Sequence, residues 1–213
     1  MLVAWSISFT ALAAEAIPVL AGYRVRARMD RTLRILFGYV IASFVTDIGL
    51  FVVAFSGFHN NLWLIRSFMP LEFAALMYVF AQWFPNPLMR NTILWSIPVF
   101  VLLVVLNALR ASDPAGYDAA DKALSAVALV VVSSGLLIRL RTSDSADLAN
   151  DPRLWFGLAV LLHFGVAAVV YGANALLSSL PPEMAVVPWG VKSVAHTASS
   201  LLYAAGFRCL KIR

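Results

Sequence analysis

Apolar residues fill seven long stretches of the chain, and short polar segments separate them. The stretches cover residues 2–22, 35–56, 63–84, 92–110, 122–140, 154–178 and 188–208. Each is close to the roughly 20 residues that an α-helix needs to cross a hydrocarbon core of about 30 Å. Runs such as VFVLLVVLNAL are apolar on every face, whereas strands of a membrane β-barrel alternate apolar and polar residues. The pattern therefore predicts an all-α membrane protein, a bundle of seven transmembrane helices.

These predicted spans leave little of the chain over. We therefore expect residues 1–213 to form a single transmembrane domain. Composition agrees, because 62% of the residues are hydrophobic and only 13% are charged, against about 25% charged in an average soluble domain. The first basic residue is Arg24, and a secretory signal normally opens with a positive segment. We therefore expect the first span to be retained.

Basic residues concentrate on one predicted side of the membrane. That side carries Arg24, Arg26, Arg28, Arg31, Arg34, Arg90, Arg139, Arg141, Arg153, Arg208, Lys211 and Arg213. The other side and the span ends next to it have four basic residues and the acidic segment ASDPAGYDAAD; the four are Arg66, Arg110, Lys122 and Lys192. Because Lys and Arg accumulate in cytoplasmic loops, we predict an amino terminus outside and a carboxyl terminus inside, in the inner membrane of a bacterium. The net charge of +5 is spread over separate loops, which favours anionic headgroups over nucleic acid as its partner.

Few ionisable side chains lie inside the predicted spans. They are Glu15, Asp47, Arg66, Glu72, His163, Lys192 and His196. A carboxylate near the bilayer centre costs about 2.5–3.5 kcal/mol, so such groups should face one another or a wet cavity. At 1.5 Å per residue, two acids and two imidazoles on four spans lie close to one level, and these are Asp47, Glu72, His163 and His196. Glu15 is predicted to lie deeper, toward the cytoplasmic half.

Helical spacing groups further polar residues with these four. In the last span, a stripe at i, i+4, i+7 and i+11 consists of Lys192, His196, Ser199 and Tyr203. In the sixth span, one stripe consists of His163, Tyr171 and Asn174, and in the second span Ser43 precedes Asp47 by one turn. The stripes predict a polar cavity between spans 2, 3, 6 and 7 that opens toward the outer side.

The expected catalytic groups are the two acids and two imidazoles near mid-bilayer. Glu72 is predicted as the protonatable acid and Asp47 as its counterpart, with His163 and His196 as proton acceptors. The residues expected to contact a ligand are Glu15, Arg66, Tyr171, Asn174, Lys192 and Tyr203. Each of these residues also fits a structural role, as an ion pair, an interhelical hydrogen bond or a side chain that reaches the interface.

Three kinds of chemistry fit this set. Paired carboxylates in a dry cavity can exchange a proton with a ligand. Two imidazoles and two carboxylates, from His163, His196, Asp47 and Glu72, can bind a divalent metal. A haem between His163 and His196 is the least favoured of the three, because the sequence does not indicate a gap between the rings. The residues alone do not decide among these three, so the cofactor is not identified from the sequence.

Two resemblances add to this reading. TDIGLFVVAFSGFHNNLWLIRSFMPLEF, PRLWFGLAVLLHFG and HTASSLLYAAG together resemble a broad group of small uncharacterised bacterial seven-helix proteins, which implies the fold but no activity. Asp47 in VTD and Glu72 in PLEF are also similar to the Pro-Trp-Asp and Pro-x-Glu-Glu motifs of membrane lycopene cyclases of the two-part type. The Pro-Trp and the second Glu are replaced here, Phe73 standing for the latter. That likeness implies an isoprenoid-binding site at the two acids.

The sequence therefore favours a protein that binds a lipid-like or isoprenoid-like amphiphile and can modify it by acid–base chemistry. A proton-coupled transporter of small solutes and a ligand-sensing receptor module are the alternatives. Membrane lipids and the amphiphile are the expected partners. Ala168 and Gly172 permit close helix contact, either within one bundle or in a homo-oligomer.

Overall fold

The computed structural model describes residues 2–56, 62–110, 114–142, 148–173 and 182–212, and the regular structure in these ranges is helical. The α-helices are α1 Leu2–Val25, α2 Arg31–Phe55, α3 Leu62–Trp83, α4 Pro87–Arg110, α5 Pro114–Thr142, α6 Pro152–Gly172 and α7 Pro182–Ile212. Short 3₁₀ turns follow α1 and precede α6, at Arg26–Arg28 and Leu148–Asn150. The prediction of an all-helical chain is confirmed.

Five of these helices contain segments long and apolar enough to cross a membrane. The segments are Arg31–Val53, Leu64–Trp83, Pro87–Arg110, Ala119–Thr142 and Pro152–Gly172. The prediction of a membrane protein built from apolar helices is confirmed at this level. Crossing by α1 and α7, and the direction of the termini, stay predictions.

Polar side chains and prolines set the helix ends beyond the apolar stretches. Asp30 caps α2, its Oδ1 accepting a hydrogen bond from the Leu33 amide at 2.7 Å. Asn86 Oδ1 accepts from the Leu88 amide at 2.9 Å, ahead of α4, and Pro87 occupies the first helical position, which needs no amide donor. Because caps act on the backbone rather than on hydrophobicity, α2 and α4 begin several residues before their predicted spans.

The helices pack around α3, α6 and α7. Helix α7 lies between α1 and α6, α6 also packs on α5, and α3 contacts α2, α4 and α5. Helix α4 is peripheral, with Ile93 and Phe100 as its buried residues. The three central helices are therefore flanked by other helices, while most of α4 faces outward.

One end of the bundle is filled by a cluster of rings, here called the aromatic core. It consists of Phe37, Phe80, Trp83, Phe156, Tyr203 and Phe207. Phe156 and Phe207 are fully buried, with ring centroids 5.0 Å apart, and Trp83 stacks on Phe156 at 6.2 Å. Arg139 closes this end by donating from Nη1 to the Trp83 carbonyl at 2.7 Å. The ring packing leaves the opposite half of the bundle as the place where helices can separate.

Candidate functional site

A cavity of about 600 Å³ lies in the half of the bundle away from the aromatic core. Its wall on the first three helices is largely apolar and includes Leu12, Leu50, Phe51, Ile65, Phe68 and Met69. Its polar lining comes from α1, α2, α3, α5, α6 and α7. The cavity is therefore amphipathic, because apolar side chains and carboxyl groups share its lining on α1, α2 and α3, and imidazoles and lysines are added from α5, α6 and α7.

Four titratable side chains meet at the wall of the cavity, and we call them the acid–imidazole cluster: Glu15, Asp47, His163 and His196. His196 is the centre of the cluster. Its Nε2 contacts Glu15 Oε1 as a hydrogen-bonded pair and lies 3.7 Å from Asp47 Oδ2. Its Nδ1 lies 3.1 Å from His163 Nδ1, so one ring donates to the other. The cluster joins helices α1, α2, α6 and α7 through one imidazole.

Glu15 was expected to lie deeper than the other groups, but in the structure its side chain contacts His196. The difference comes from the helix limits. Helix α1 continues to Val25 and α7 begins at Pro182, so both residues lie within about 2 Å of the middle of their own helices at 1.5 Å per residue. Depth counted from the apolar stretch alone misplaced Glu15.

Glu72 lines the same cavity but is held separately from the cluster. Its Oε1 accepts a hydrogen bond from the Tyr39 hydroxyl at 3.0 Å. Tyr39 is buried and lies near Tyr203, with ring centroids 6.4 Å apart. Glu72 therefore has a phenol as its hydrogen-bond partner, while Asp47 lies with Glu15 and His196. The predicted roles of Glu72 as acid and Asp47 as its counterpart stay predictions.

Two lysines approach one phenol in the part of the cavity lining that α5, α6 and α7 provide. We call this group, Lys122, Tyr171 and Lys192, the lysine–tyrosine site. Lys192 Nζ donates to the Tyr171 hydroxyl at 2.6 Å. Lys122 Nζ lies 5.0 Å from the centroid of the same ring. Trp189 flanks the site, its ring centroid 5.3 Å from Lys192 Nζ. Lys192 precedes His196 by one helical turn, so this positive region lies directly beside the acid–imidazole cluster.

The remaining predicted ligand contacts fall in different places. Tyr203 borders a smaller cavity of about 30 Å³ between the cluster and the aromatic core, and its hydroxyl has no hydrogen-bond partner among the described side chains. Arg66 is half-buried in α3 and is not among the described residues that line the large cavity. Asn174 lies outside the described residues. Their roles in ligand binding stay predictions.

Three groups could hold a metal ion together. Ligand atoms of Glu15, Asp47 and His196 all lie within 4.8 Å of one another. This trio differs from the predicted set, because Glu15 takes the place of Glu72 and His163 stands behind His196. A haem would need the two imidazoles to separate, because their rings are in contact with centroids 4.9 Å apart.

Tyr39 and Lys122 belong to the site but were not among the residues predicted for it. Tyr39 precedes Ser43 and Asp47 at i, i+4 and i+8, so the polar stripe of α2 could have been extended by one turn. Lys122 was assigned to the outer end of a span because the acidic segment before it was read as a loop. In the structure α5 begins at Pro114, and Asp121 is buried, accepting a hydrogen bond from Asn107 at 3.2 Å.

Comparison with known proteins gives no match, either among protein-family models, among curated proteins or among solved structures.

Proposed function

We propose that this chain is an integral protein of the bacterial inner membrane that binds a lipid-like or isoprenoid-like amphiphile in the large cavity and modifies it by acid–base chemistry. The observation that carries the proposal is the cavity itself. It brings apolar side chains of α1 to α3 together with the acid–imidazole cluster and Glu72 in one lining. Its volume of about 600 Å³ falls within the roughly 300–1,000 Å³ of small-molecule sites.

The apolar side chains of the cavity and the lysine–tyrosine site suit the two parts of an amphiphile. A hydrocarbon or isoprenoid chain gains about 25 cal/mol for each Å² of apolar surface removed from water, and the apolar side chains from Leu12 to Met69 offer that surface. The lysine–tyrosine site supplies two ammonium groups and a phenol for an anionic or strongly polar headgroup. The likeness to lycopene cyclases at Asp47 and Glu72 supports an isoprenoid as the apolar part.

The proton chemistry is assigned to two locations on the cavity wall. Glu72, oriented by Tyr39, is the acid that approaches the ligand from α3. His196, supported by Glu15, Asp47 and His163, is the group on α7 that can take up a proton from the ligand or return one to it. Two titratable groups that face one ligand from different sides can act as acid and base.

We infer that α1 and α7 also cross the membrane, giving seven spans. Their 24 and 31 residues correspond to about 36 and 46 Å at 1.5 Å per residue, enough for the hydrocarbon core. The basic end of the bundle is assigned to the cytoplasm. Reporter fusions at both termini test this: activity of an external reporter at the amino terminus and of a cytoplasmic reporter at the carboxyl terminus is expected, and both reporters on one side would contradict it.

Blocking the cavity tests ligand binding. Thr46 lines the cavity, whereas its neighbour Val45 points outward from the same helix and is exposed. Overfilling a site costs about 1–3 kcal/mol, so Thr46→Trp is expected to lower the amount of co-purifying amphiphile by about tenfold. Val45→Trp, the matched control, is expected to leave it unchanged. Native mass spectrometry of the full chain from bacterial membranes, with analysis of the extracted lipids, measures both.

The same extracts test the acid–base step. Glu72→Gln keeps the size of the side chain and removes its exchangeable acid, so this variant is expected to retain the amphiphile in its unconverted form only. Equal occupancy in the Thr46→Trp and Val45→Trp proteins would contradict the binding site. An unchanged product pattern in Glu72→Gln would contradict the role of Glu72.

A further inference from the structure

The trio of Glu15, Asp47 and His196 has the composition of a metal site. Two carboxylate oxygens and one imidazole nitrogen come from α1, α2 and α7, and they lie within 4.8 Å of one another. Catalytic zinc sites commonly use three protein ligands of these types, with a fourth position open to water or substrate. Here the open side faces the cavity, because all three residues belong to its lining.

Glu15 supplies an independent sign that a cation belongs there. Its side chain is only 6% exposed, and its Oε2 accepts no hydrogen bond from an N–H or hydroxyl donor of the described residues, while its close neighbour is the carboxyl group of Asp47. A buried carboxylate oxygen without a partner is strongly unfavourable. Because Glu15 lines the cavity, a cation at the cavity wall would satisfy this oxygen.

A proton on His196 cannot serve the whole trio. Bound to Nε2, it lies between His196 and Glu15 Oε1, while Asp47 Oδ2, 3.7 Å away, is beyond normal hydrogen-bond distance. A divalent ion instead binds several oxygens at once at about 2 Å from each. Bringing ligand atoms that lie within 4.8 Å onto one ion requires side-chain adjustments of about 1 Å.

His163 contacts the ring nitrogen of His196 that does not face the two carboxyl groups. Metal-bound imidazoles usually engage their second ring nitrogen in a hydrogen bond, which fixes the tautomer and the orientation of the ring. The Nδ1 atoms of His196 and His163 lie 3.1 Å apart. When His196 donates through Nδ1, its Nε2 presents a free lone pair toward the two carboxylates. His163 is therefore a positioning residue.

We propose that Glu15, Asp47 and His196 bind a divalent first-row transition-metal ion, with Zn²⁺ as the expected species, and that the open position of this ion faces the headgroup of the amphiphile. The inference deepens the proposed function and rests on it for the identity of the group that meets the ion. Metal binding itself does not depend on the amphiphile.

Zinc content of the purified full chain tests the proposal. The protein is prepared with an affinity tag free of histidine, stripped with a chelator, exposed to Zn²⁺ and gel-filtered. About one ion per chain is expected in the wild type, and none in Asp47→Asn or His196→Gln. His163→Phe is expected to weaken binding by about 10- to 100-fold. Glu72→Gln is the matched control, because it neutralises a carboxylate of the same cavity outside the trio, and it is expected to bind like the wild type.

A second readout guards against variants that fail to fold. Zn²⁺ is expected to raise the thermal unfolding midpoint of the wild type and of Glu72→Gln, because a ligand of the native state stabilises it, and not that of Asp47→Asn. No zinc in the wild type, or equal zinc in the Asp47→Asn and His196→Gln proteins, overturns the site. Loss of zinc in Glu72→Gln overturns the ligand set. If the wild type binds no zinc but retains its amphiphile, the metal proposal fails and the proposed function stands.

Discussion

At one end of the bundle rings pack against rings, while at the other end the same helices separate around a cavity of about 600 Å³. Helix α7 belongs to both regions. Phe207 lies fully buried among Phe37 and Phe156, and three turns earlier His196 faces the cavity. Close ring packing and the titratable groups of the cavity therefore lie at different levels of the same helices, α2, α3, α6 and α7.

The aromatic core and the cavity differ because they bury different kinds of side chain. The aromatic core gains from close packing, which leaves no space for water or for a ligand. The cavity carries acids that hydrocarbon would penalise individually, and their partners come from separate helices. A tight region at one end fixes the helices well enough for side chains at the other end to meet.

The largest effect expected from this comparison concerns two glycines of α7. A Cβ on Gly206 would lie 2.6 Å from the Phe156 ring, whereas a Cβ on Gly190 would meet no described atom within 4 Å. Phe156 cannot move aside, because Trp83 and Phe207 pack on it. Gly206→Ala is therefore expected to destabilise the protein by about 1–3 kcal/mol, as measured by thermal or denaturant unfolding in detergent.

Gly190→Ala is the control for this prediction, since it makes the same change in the same helix at the level of the cavity. Alanine favours a helix over glycine by up to about 1 kcal/mol, so unchanged or slightly higher stability is expected. Similar losses in the two variants would mean that the two regions are packed alike.

The sequence predicted the fold better than the site because the two depend on different information. Apolar length gives the existence of the helices. Helices α1, α5 and α7 extend beyond their apolar stretches, so ends taken from hydrophobicity alone separated Glu15 from His196 and left Lys122 outside the site.

Pairing within the site depends on how each helix is rotated about its axis, which packing decides. The polar stripes of α2, α6 and α7 indicate which residues share a face, but not which face meets which. The pairing of Glu72 with Tyr39 rather than with Asp47 could therefore not be read from spacing. Contact between His196 and Glu15, far apart in the sequence, required the packing of α1 on α7.

The smallest effect expected concerns the hydrogen bond that connects the two regions. Tyr39 is part of the buried interior and stacks beside Phe68, while its hydroxyl donates to Glu72 in the cavity wall at 3.0 Å. A hydrogen bond of this kind contributes about 0.5–1.5 kcal/mol net, so Tyr39→Phe is expected to lower the free energy of unfolding by about 1 kcal/mol. Tyr78→Phe, on the same helix as Glu72, is expected to have no effect.

A double-mutant cycle separates this bond from the packing of the ring. In a Glu72→Leu background the Tyr39 hydroxyl has lost its acceptor, so Tyr39→Phe should then cost almost nothing, and the coupling between the two sites should be about 1 kcal/mol. Equal losses in both backgrounds would show that the hydroxyl stabilises the interior by another contact. The expected coupling would mean that Tyr39, packed in the buried interior, positions the carboxyl group of Glu72 in the cavity wall.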